Sequence, residues 1–589
     1  MACLRTITQK IQLNLYNSIV NSKTTNKIPY IFFAGPAVSL AISPFVTFDV
    51  LNPPKLLMLS LFGGLALGLL ISNREKMLRK TFSPIFYLSL LFLICMISSF
   101  LFSGGNQTTQ LYGVHGRHTG LIAYFSLCFL LLAVSLNATL LNVKYALGTM
   151  FFTGVVSFSY AFLQLIDLDP LPWKGNETWV VGTFANPNFF SSFVALVNIL
   201  TFTYIMQDSL TKKQRMYAVL PLIFGVYLLS KIGSTQGFMV LFVGISITVL
   251  IRVKNSKRFN KTFYPLCVIT IASVVFVVLD ILQRAPWDSK LYKLSVAARG
   301  DYWRAAIQIM NDYPWTGVGI DGFRNWYPKY RDWNSLNHGE ASTLADAAHN
   351  IFLDFGVNGG IFLFLSYVSI VFLALIAAIR IIKRMQSFDA AIVSLIAVWL
   401  GYQAQSLISI NQLSLAIWGW IFSGLIIGYE IHSRPTTNTE SNLNNAKNPT
   451  KVSSRRYRNT KKSYFWAPPL IGAILGFSLV WPLMSAHINY NTAMKNADPV
   501  SLLKAANQYP KDALRMSMAA ESVSLMGFPR DGYDLAKKAS VFDPNFSVPW
   551  KIMATFPRVS EEEKKQIQEK LNELDPLFNE AEKRRLALK

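Results

Sequence analysis

The chain has 589 residues, 52% of them hydrophobic and only 15% charged, with a mean hydropathy of +0.32; this is too apolar for an ordinary soluble protein and reads as an integral membrane protein. A net charge of +24 could point to nucleic acid, but the lysines and arginines fall in short clusters between apolar runs rather than forming a patch on a folded domain. Cys3, Cys95, Cys128 and Cys267 show no CxxC or metal spacing, which argues against a disulfide or zinc framework.

Residues 1–29 are polar and mildly basic, without the apolar core or cleavage site of a removed signal peptide. Apolar runs near the roughly 20 residues needed to cross a bilayer follow at 30–50, 55–72, 83–103, 119–136, 143–166, 187–207, 216–230, 235–252 and 262–280, then at 350–382, 388–410, 414–431 and 464–486. Short basic loops stay cytoplasmic. With the N-terminus inside, the clusters at 74–80, 212–215, 252–261 and 380–384 all face the cytoplasm, whereas the alternate loops carry single basic residues such as Lys55, Arg117 and Lys231. The expected organisation is a cytoplasmic segment 1–29, a polytopic membrane domain 30–431 with a large external loop 281–349, a basic cytoplasmic linker 432–463, a final span 464–486 and an external domain 487–589.

In that last domain Tyr509-Pro510, Asp543-Pro544 and Asp575-Pro576 recur at intervals of 34 and 32 residues, close to the tetratricopeptide period of about 34. Ala505, Ala506, Ala519, Ala520 and Ala536 supply small residues where paired helices would meet. Two degenerate tetratricopeptide-like hairpins are predicted, the alternative being a small helical domain of no repeat type. The fold class is therefore all-α: a membrane bundle of about 12 core spans plus one extra, with a small helical-repeat tail.

The spans themselves hold almost no ionisable residues, Asp354 being the chief exception, which weakens a coupled-transporter reading. The chemistry-bearing residues lie in the outward segments. Arg117, in Gly113-Val-His-Gly-Arg-His-Thr-Gly120, could present a planar fork of donors to a phosphate from the water side, or simply snorkel at the interface. Asn186 and Pro187 read as the N-cap and first turn of a helix whose free N–H groups face outward, with Asn188 following. Lys231 stands next to the turn Gly233-Ser-Thr-Gln-Gly237. In the long loop, Arg299 and Arg304 flank Tyr302 and Trp303, and Gly317, Gly319 and Gly322 permit positive dihedrals or close approach of another segment. His349, followed by Asn350 at the head of the tenth span, can take a proton from an attacking hydroxyl. No metal-ligand set is evident among six histidines.

At these residues the chain resembles the O-antigen ligase and O-antigen polymerase superfamily of bacterial envelope glycan enzymes. The resemblance rests on Gly182-Thr-Phe-Ala-Asn-Pro-Asn-Phe189, on Arg299 to Trp303 leading to Pro314 and Gly317-Val-Gly319, and on His349-Asn350 with Gly356 and Gly359; it covers roughly residues 30–430. It implies metal-independent, inverting, cofactor-free glycosyl transfer at the outer face of the plasma membrane. The donor would be a glycan on an isoprenoid (undecaprenyl-type) diphosphate, and the acceptor a hydroxyl on a lipid, glycan or protein. By motif, Arg299 would bind the diphosphate and His349 would act as base or orient the acceptor. Arg304, Arg117, Asn186, Asn188, Lys231 and Asn350 are further candidates for substrate binding, and the tail could recruit an acceptor or protein partner. Many relatives carry arginine in a Ser-Arg-Gly-like motif where this chain has Ser234-Thr-Gln-Gly237, so Lys231 or Arg117 would have to compensate for the uncharged Gln236. The alternative class is a solute transporter, a bicarbonate-carrier-like permease.

Overall fold

The computed structural model describes residues 29–580 and 583, apart from 45, 172–179, 257–258, 282–293, 339–344, 435–465 and 557–558. The N-terminal segment, nearly all of the basic linker and two stretches of the long loop thus lie outside the described residues. Among the described residues every regular element is helical. Nine helices are long and apolar enough to cross a bilayer, and four shorter apolar ones, Tyr30–Leu40, Leu121–Ser135, Phe263–Ser273 and Ala390–Ser406, occupy the remaining predicted positions. The protein is a polytopic membrane bundle.

Burial separates the helices by role. Leu413–His432 is central, with Trp418, Phe422 and Leu425 at most 1% exposed. Ser83–Phe102 instead leaves Leu90, Leu91, Ile94 and Leu101 bare along one side, as expected where acyl chains rather than water are the solvent.

The first predicted span is helical only in its first half. The helix Ala34–Leu40 stops, and the described residues among 41–51 continue without helix. Its orphaned C-terminal carbonyls would be costly at this depth. Lys55, fully buried, donates from Nζ to the carbonyls of Ser39 and Ala41 at 3.0 and 3.1 Å, and Thr183 Oγ1 donates to Ser39 at 2.9 Å. Lys55 is therefore not the loop residue its sequence context suggested.

The final span is one 29-residue helix, Ala467–Lys495, longer than the predicted 464–486. Small residues let it lie against Asn52–Ser72: a Cβ on Gly64 would fall 1.9 Å from the Gly472 carbonyl oxygen, and one on Gly472 would fall 2.0 Å from that of Gly64. Helices so packed are held by backbone-distance van der Waals contact rather than by apolar burial. The C-terminal end of this helix, through Tyr490 and Ala493, enters the core of the tail with Leu502, Met516, Ala520, Leu535 and Leu571. Five further helices, Pro499–Ala506, Ala513–Leu525, Pro529–Phe542, Ser547–Ala554 and Glu561–Leu574, complete the tail.

The tail is docked on the loops at one end of the bundle. The residues that set its sequence period make the contacts: the Tyr509 hydroxyl lies 3.5 Å from that of Tyr112, Asn325 Nδ2 donates to both Asp543 carboxylate oxygens at 3.0 and 2.9 Å, and Arg331 Nη2 donates to both Asp575 oxygens at 2.8 and 3.0 Å. Asn325 belongs to the short helix Phe323–Tyr330, and Arg331 caps its end. The last pair is buried, with side chains 5% and 1% exposed.

Candidate functional site

Among the described residues of the long loop, the first element is the helix Leu294–Asp312, which carries Arg299. Pro314 follows, and the chain then presses into a break in the helix Ile351–Arg384. At the break, Gly359 and Gly360 leave helical dihedrals. The Ile361 N–H donates to the Pro314 carbonyl at 2.8 Å and the Val318 N–H to that of Val357 at 2.9 Å. Gly317 (φ +62) and Gly360 (φ +71) serve this approach: a Cβ on Gly360 would lie 2.4 Å from the Pro314 oxygen, and one on Gly317 would lie 2.3 Å from that of Val357. The glycines thus let two backbones hydrogen-bond directly.

The short segment before the break, Ile351–Asn358, presents His349 at its head. Asn350 is the N-cap, accepting from Phe352 and Leu353 N–H at 3.0 and 3.3 Å, and Asp354 Oδ1 accepts from the Ala348 N–H at 2.7 Å. Between these clamps His349 adopts φ +53, a conformation uncommon outside glycine. Its ring stacks on Tyr302, with centroids 5.4 Å apart, and is half-buried. Burial first, and then the charges of Arg299 and Arg117, lower its pKa to about 3, so the resting imidazole is neutral.

Arg299 and Arg117 act electrostatically on this ring, and together with Arg304 they differ in partners. Arg304 is tied to Asp301 and, through Nε at 2.9 Å, to Asp332. Arg117 is not the water-facing fork that its loop suggested: it is 7% exposed and donates from Nη1 to the Asp346 carbonyl at 2.8 Å. Desolvation opposes its charge, but Asp321, Asp354 and Asp346 outweigh it and hold the guanidinium above its ordinary value. Asp321 also fixes the loop that carries Arg117, accepting from Val114 N–H at 3.1 Å and from Thr119 Oγ1 at 2.9 Å. Arg299 has no carboxylate partner among the described residues; Nη2 lies 3.5 Å from Gln236 Oε1. Burial pulls Arg299 below its ordinary value, yet an arginine there stays charged.

Gln236 answers the departure noted in the sequence. It is 3% exposed, and its Nε2 donates to Ser192 Oγ at 2.9 Å and Gln405 Oε1 at 3.3 Å. Its carbonyl oxygen is thereby aimed at Arg299 without neutralising it. Lys231 is exposed, with Nζ 5.6 Å from the Tyr227 ring centroid, and among the described residues it makes no hydrogen bond or ion pair with this cluster. Asn186 caps its helix by accepting from the Asn188 N–H at 2.8 Å, and Asn188 Oδ1 accepts from Ser234 Oγ at 2.7 Å, which ties this helix start to the turn before Gln236.

Sequence reasoning missed Asp354 and Asp321 as the carboxylates that set His349 and Arg117. It also missed a convergence of half the histidines. His115, His118 and His487 bring ring nitrogens within 4.8 Å of one another, although with only six histidines the sequence shows no evident metal-ligand set. A family model described as O-Antigen ligase matches residues 217–368. No curated protein matches the chain. The matched stretch contains Gln236, Arg299, Arg304 and His349, and over it the chain is similar to the O-antigen ligases.

Proposed function

We propose that the protein transfers a glycan from an isoprenoid-diphosphate carrier to an acceptor hydroxyl, with Arg299 binding the diphosphate and His349 receiving the acceptor proton. The observation that carries this reading is an uncompensated guanidinium beside a neutral imidazole at one end of an apolar bundle. Arg304 and Arg117 already face carboxylates, so Arg299 is the cation left to meet the negative charge that develops on a departing diphosphate. Arg117, through the Asp346 carbonyl, orients the turn that carries His349.

An imidazole with a pKa of about 3 is a weak base. A bound diphosphate offsets the positive charge of Arg299 and Arg117, raising the ring toward its ordinary value. Acceptor activation then follows donor binding, which limits idle hydrolysis. The basic clusters at the opposite helix ends, including Lys76, Arg252 and Arg384, favour an outer position for the site by the positive-inside rule. An apolar groove of about 610 Å³ between Leu140–Leu165 and Lys212–Ile232, lined by Phe158, Phe162, Pro221 and Phe224, offers the isoprenoid a berth. The inverting, metal-independent course and the acceptor class belong to the same proposal. Transport gains no support: Lys55, buried in a span, is committed to backbone carbonyls.

The test is reconstitution in nanodiscs with an isoprenoid-diphosphate-linked glycan and a range of acceptors. Arg299→Ala is expected to lose about 100- to 1,000-fold in transfer, and His349→Ala about 100- to 10,000-fold, with both variants inserted and folded. Wild-type-like transfer by either would overturn its role.

A further inference from the structure

His118 sits in the loop Gly113–Gly120, one residue from Arg117, and is 3% exposed. Its Nδ1 faces the Tyr112 carbonyl at 3.3 Å, an acceptor that requires the ring proton to reside there. The lone pair of Nε2 then points into the protein. It meets no hydrogen-bond partner among the described residues, and Asp49 Oδ2 lies 3.7 Å from it. A buried lone pair turned toward a carboxylate is repulsive unless a cation lies between them.

The surroundings are those of a ligand set. The rings of His115 and His487 are 6.2 and 5.6 Å from that of His118, centroid to centroid, and 5.3 Å from each other, and one ring nitrogen of each of the three lies within 4.8 Å of the others. Ligand atoms about 2.1 Å from a tetrahedral zinc ion are roughly 3.4 Å apart, so small ring rotations close the set. Outer partners are in place for His118, whereas His487 Nδ1 accepts the Asp49 N–H at 3.4 Å and is itself the nitrogen that would turn to the cation. Asp49 Oδ1 is fixed by the Leu51 and Asn52 N–H groups at 3.0 and 3.1 Å, and Oδ2 accepts from Asn52 Nδ2 at 3.2 Å. The Asp512 carboxylate of the tail acts electrostatically on both His115 and His118. Hydrogen-bonded ligands with nearby carboxylates are the usual outer arrangement of a metal site.

We infer that His115, His118 and His487 form a binding site for a zinc-type divalent cation, with Asp49 as its neighbouring carboxylate, joining the Arg117 loop, the segment before Asn52 and the C-terminal end of the last span. The three imidazoles come from two distant segments of the chain, and that of His115 lies against Phe48, which itself packs on Tyr490, so a cation held by them would fasten those segments together. The assignment is independent of the reaction proposed above.

Full-length protein in detergent, stripped with chelator, is titrated with Zn²⁺ and in parallel with Co²⁺. The expected result is about one equivalent bound per chain, visible cobalt bands of four-coordinate type, and a thermal midpoint that rises with Zn²⁺ but not with Mg²⁺. His118→Gln and His487→Gln should each weaken binding at least tenfold, whereas His432→Gln, at the opposite end of the bundle, should not. Less than about a tenth of an equivalent in the wild type would overturn the inference and leave a protonated His118 paired with Asp49. So would unchanged affinity in folded His118→Gln and His487→Gln. If those variants fail to fold, the wild-type cobalt spectrum and stoichiometry decide alone.

Discussion

Replacing Arg331 by alanine tests whether the tail is part of the site's scaffold. The guanidinium makes two hydrogen bonds from Nη2 to Asp575, at 2.8 and 3.0 Å, and a third from Nε at 3.2 Å, in a contact where both side chains are almost fully buried. Removing one member of such a pair costs about 3–5 kcal/mol, because the other charge is left in a dry place. Lys551 Nζ remains 3.5 Å from Asp575 and offsets part of that loss, which puts the expected cost near the lower figure. About 3 kcal/mol weakens docking by more than roughly 100-fold. Hydrogen–deuterium exchange in nanodiscs should then show Phe323–Tyr330 and Glu561–Leu574 opening together. The double variant Arg331→Met/Asp575→Leu should recover most of the protection, since an apolar pair of similar size avoids the desolvation penalty. Unchanged exchange in Arg331→Ala would refute the argument that this pair holds the tail on the loop.

Three further outcomes are expected. Gln236→Glu places a carboxylate where a neutral oxygen now lies 3.5 Å from Arg299; donor KM should rise at least tenfold with little change in thermal midpoint, and an unaltered KM would show that Arg299 does not meet the donor. Gly360→Ala forces a Cβ to 2.4 Å from the Pro314 oxygen at φ +71 and should cost about 3 kcal/mol or more, read as a lowered thermal midpoint; a stability equal to wild type would mean that the break at 359–360 is not what seats the loop. In the donor-free protein His349, at about 3, stays neutral as pH falls from 7 to about 5, so kcat/KM should show no acid limb near pH 6.5, whereas the limb in kcat moves upward. The same depressed value means that the unfolded chain binds the proton first, so this ring's contribution to stability falls as pH drops below about 6.5 toward 3. A kcat/KM limb near 6.5 belonging to His349 would contradict its placement between two arginines.

The crossings were legible because hydropathy and length report directly on a bilayer, and Asn186 was legible as an N-cap because capping is local chemistry; the same chemistry at Asn350 was passed over. The site was legible only in part. His349 and Arg299 stood out by residue type, but what distinguishes Arg299 from Arg304 and Arg117 is the identity of their partners, and Arg117 meets Asp321 and Asp346 across more than 200 residues. Asp354 looked like an anomaly in a span and proves to hold the Ala348 N–H. Lys55 read as a loop charge because the helix end it serves lies in a different segment. The spacing of Tyr509, Asp543 and Asp575 suggested a repeat, while each of these residues faces a loop of the membrane domain; a regular interval along a helical array can arise from the surface it must match as well as from internal stacking.

Docking of the tail also sets the order of biogenesis. Asp543 and Asp575 leave the ribosome after all the apolar segments of the bundle, yet they are the partners of Asn325 and Arg331 in a loop made far earlier. That loop therefore waits through the synthesis of the remaining spans with a buried-type arginine and its neighbours exposed to solvent. It reaches its final arrangement only when translation is nearly finished, so a chain stalled or clipped before Asp543 would sit in the membrane with every crossing in place and both Asn325 and Arg331 still without these partners.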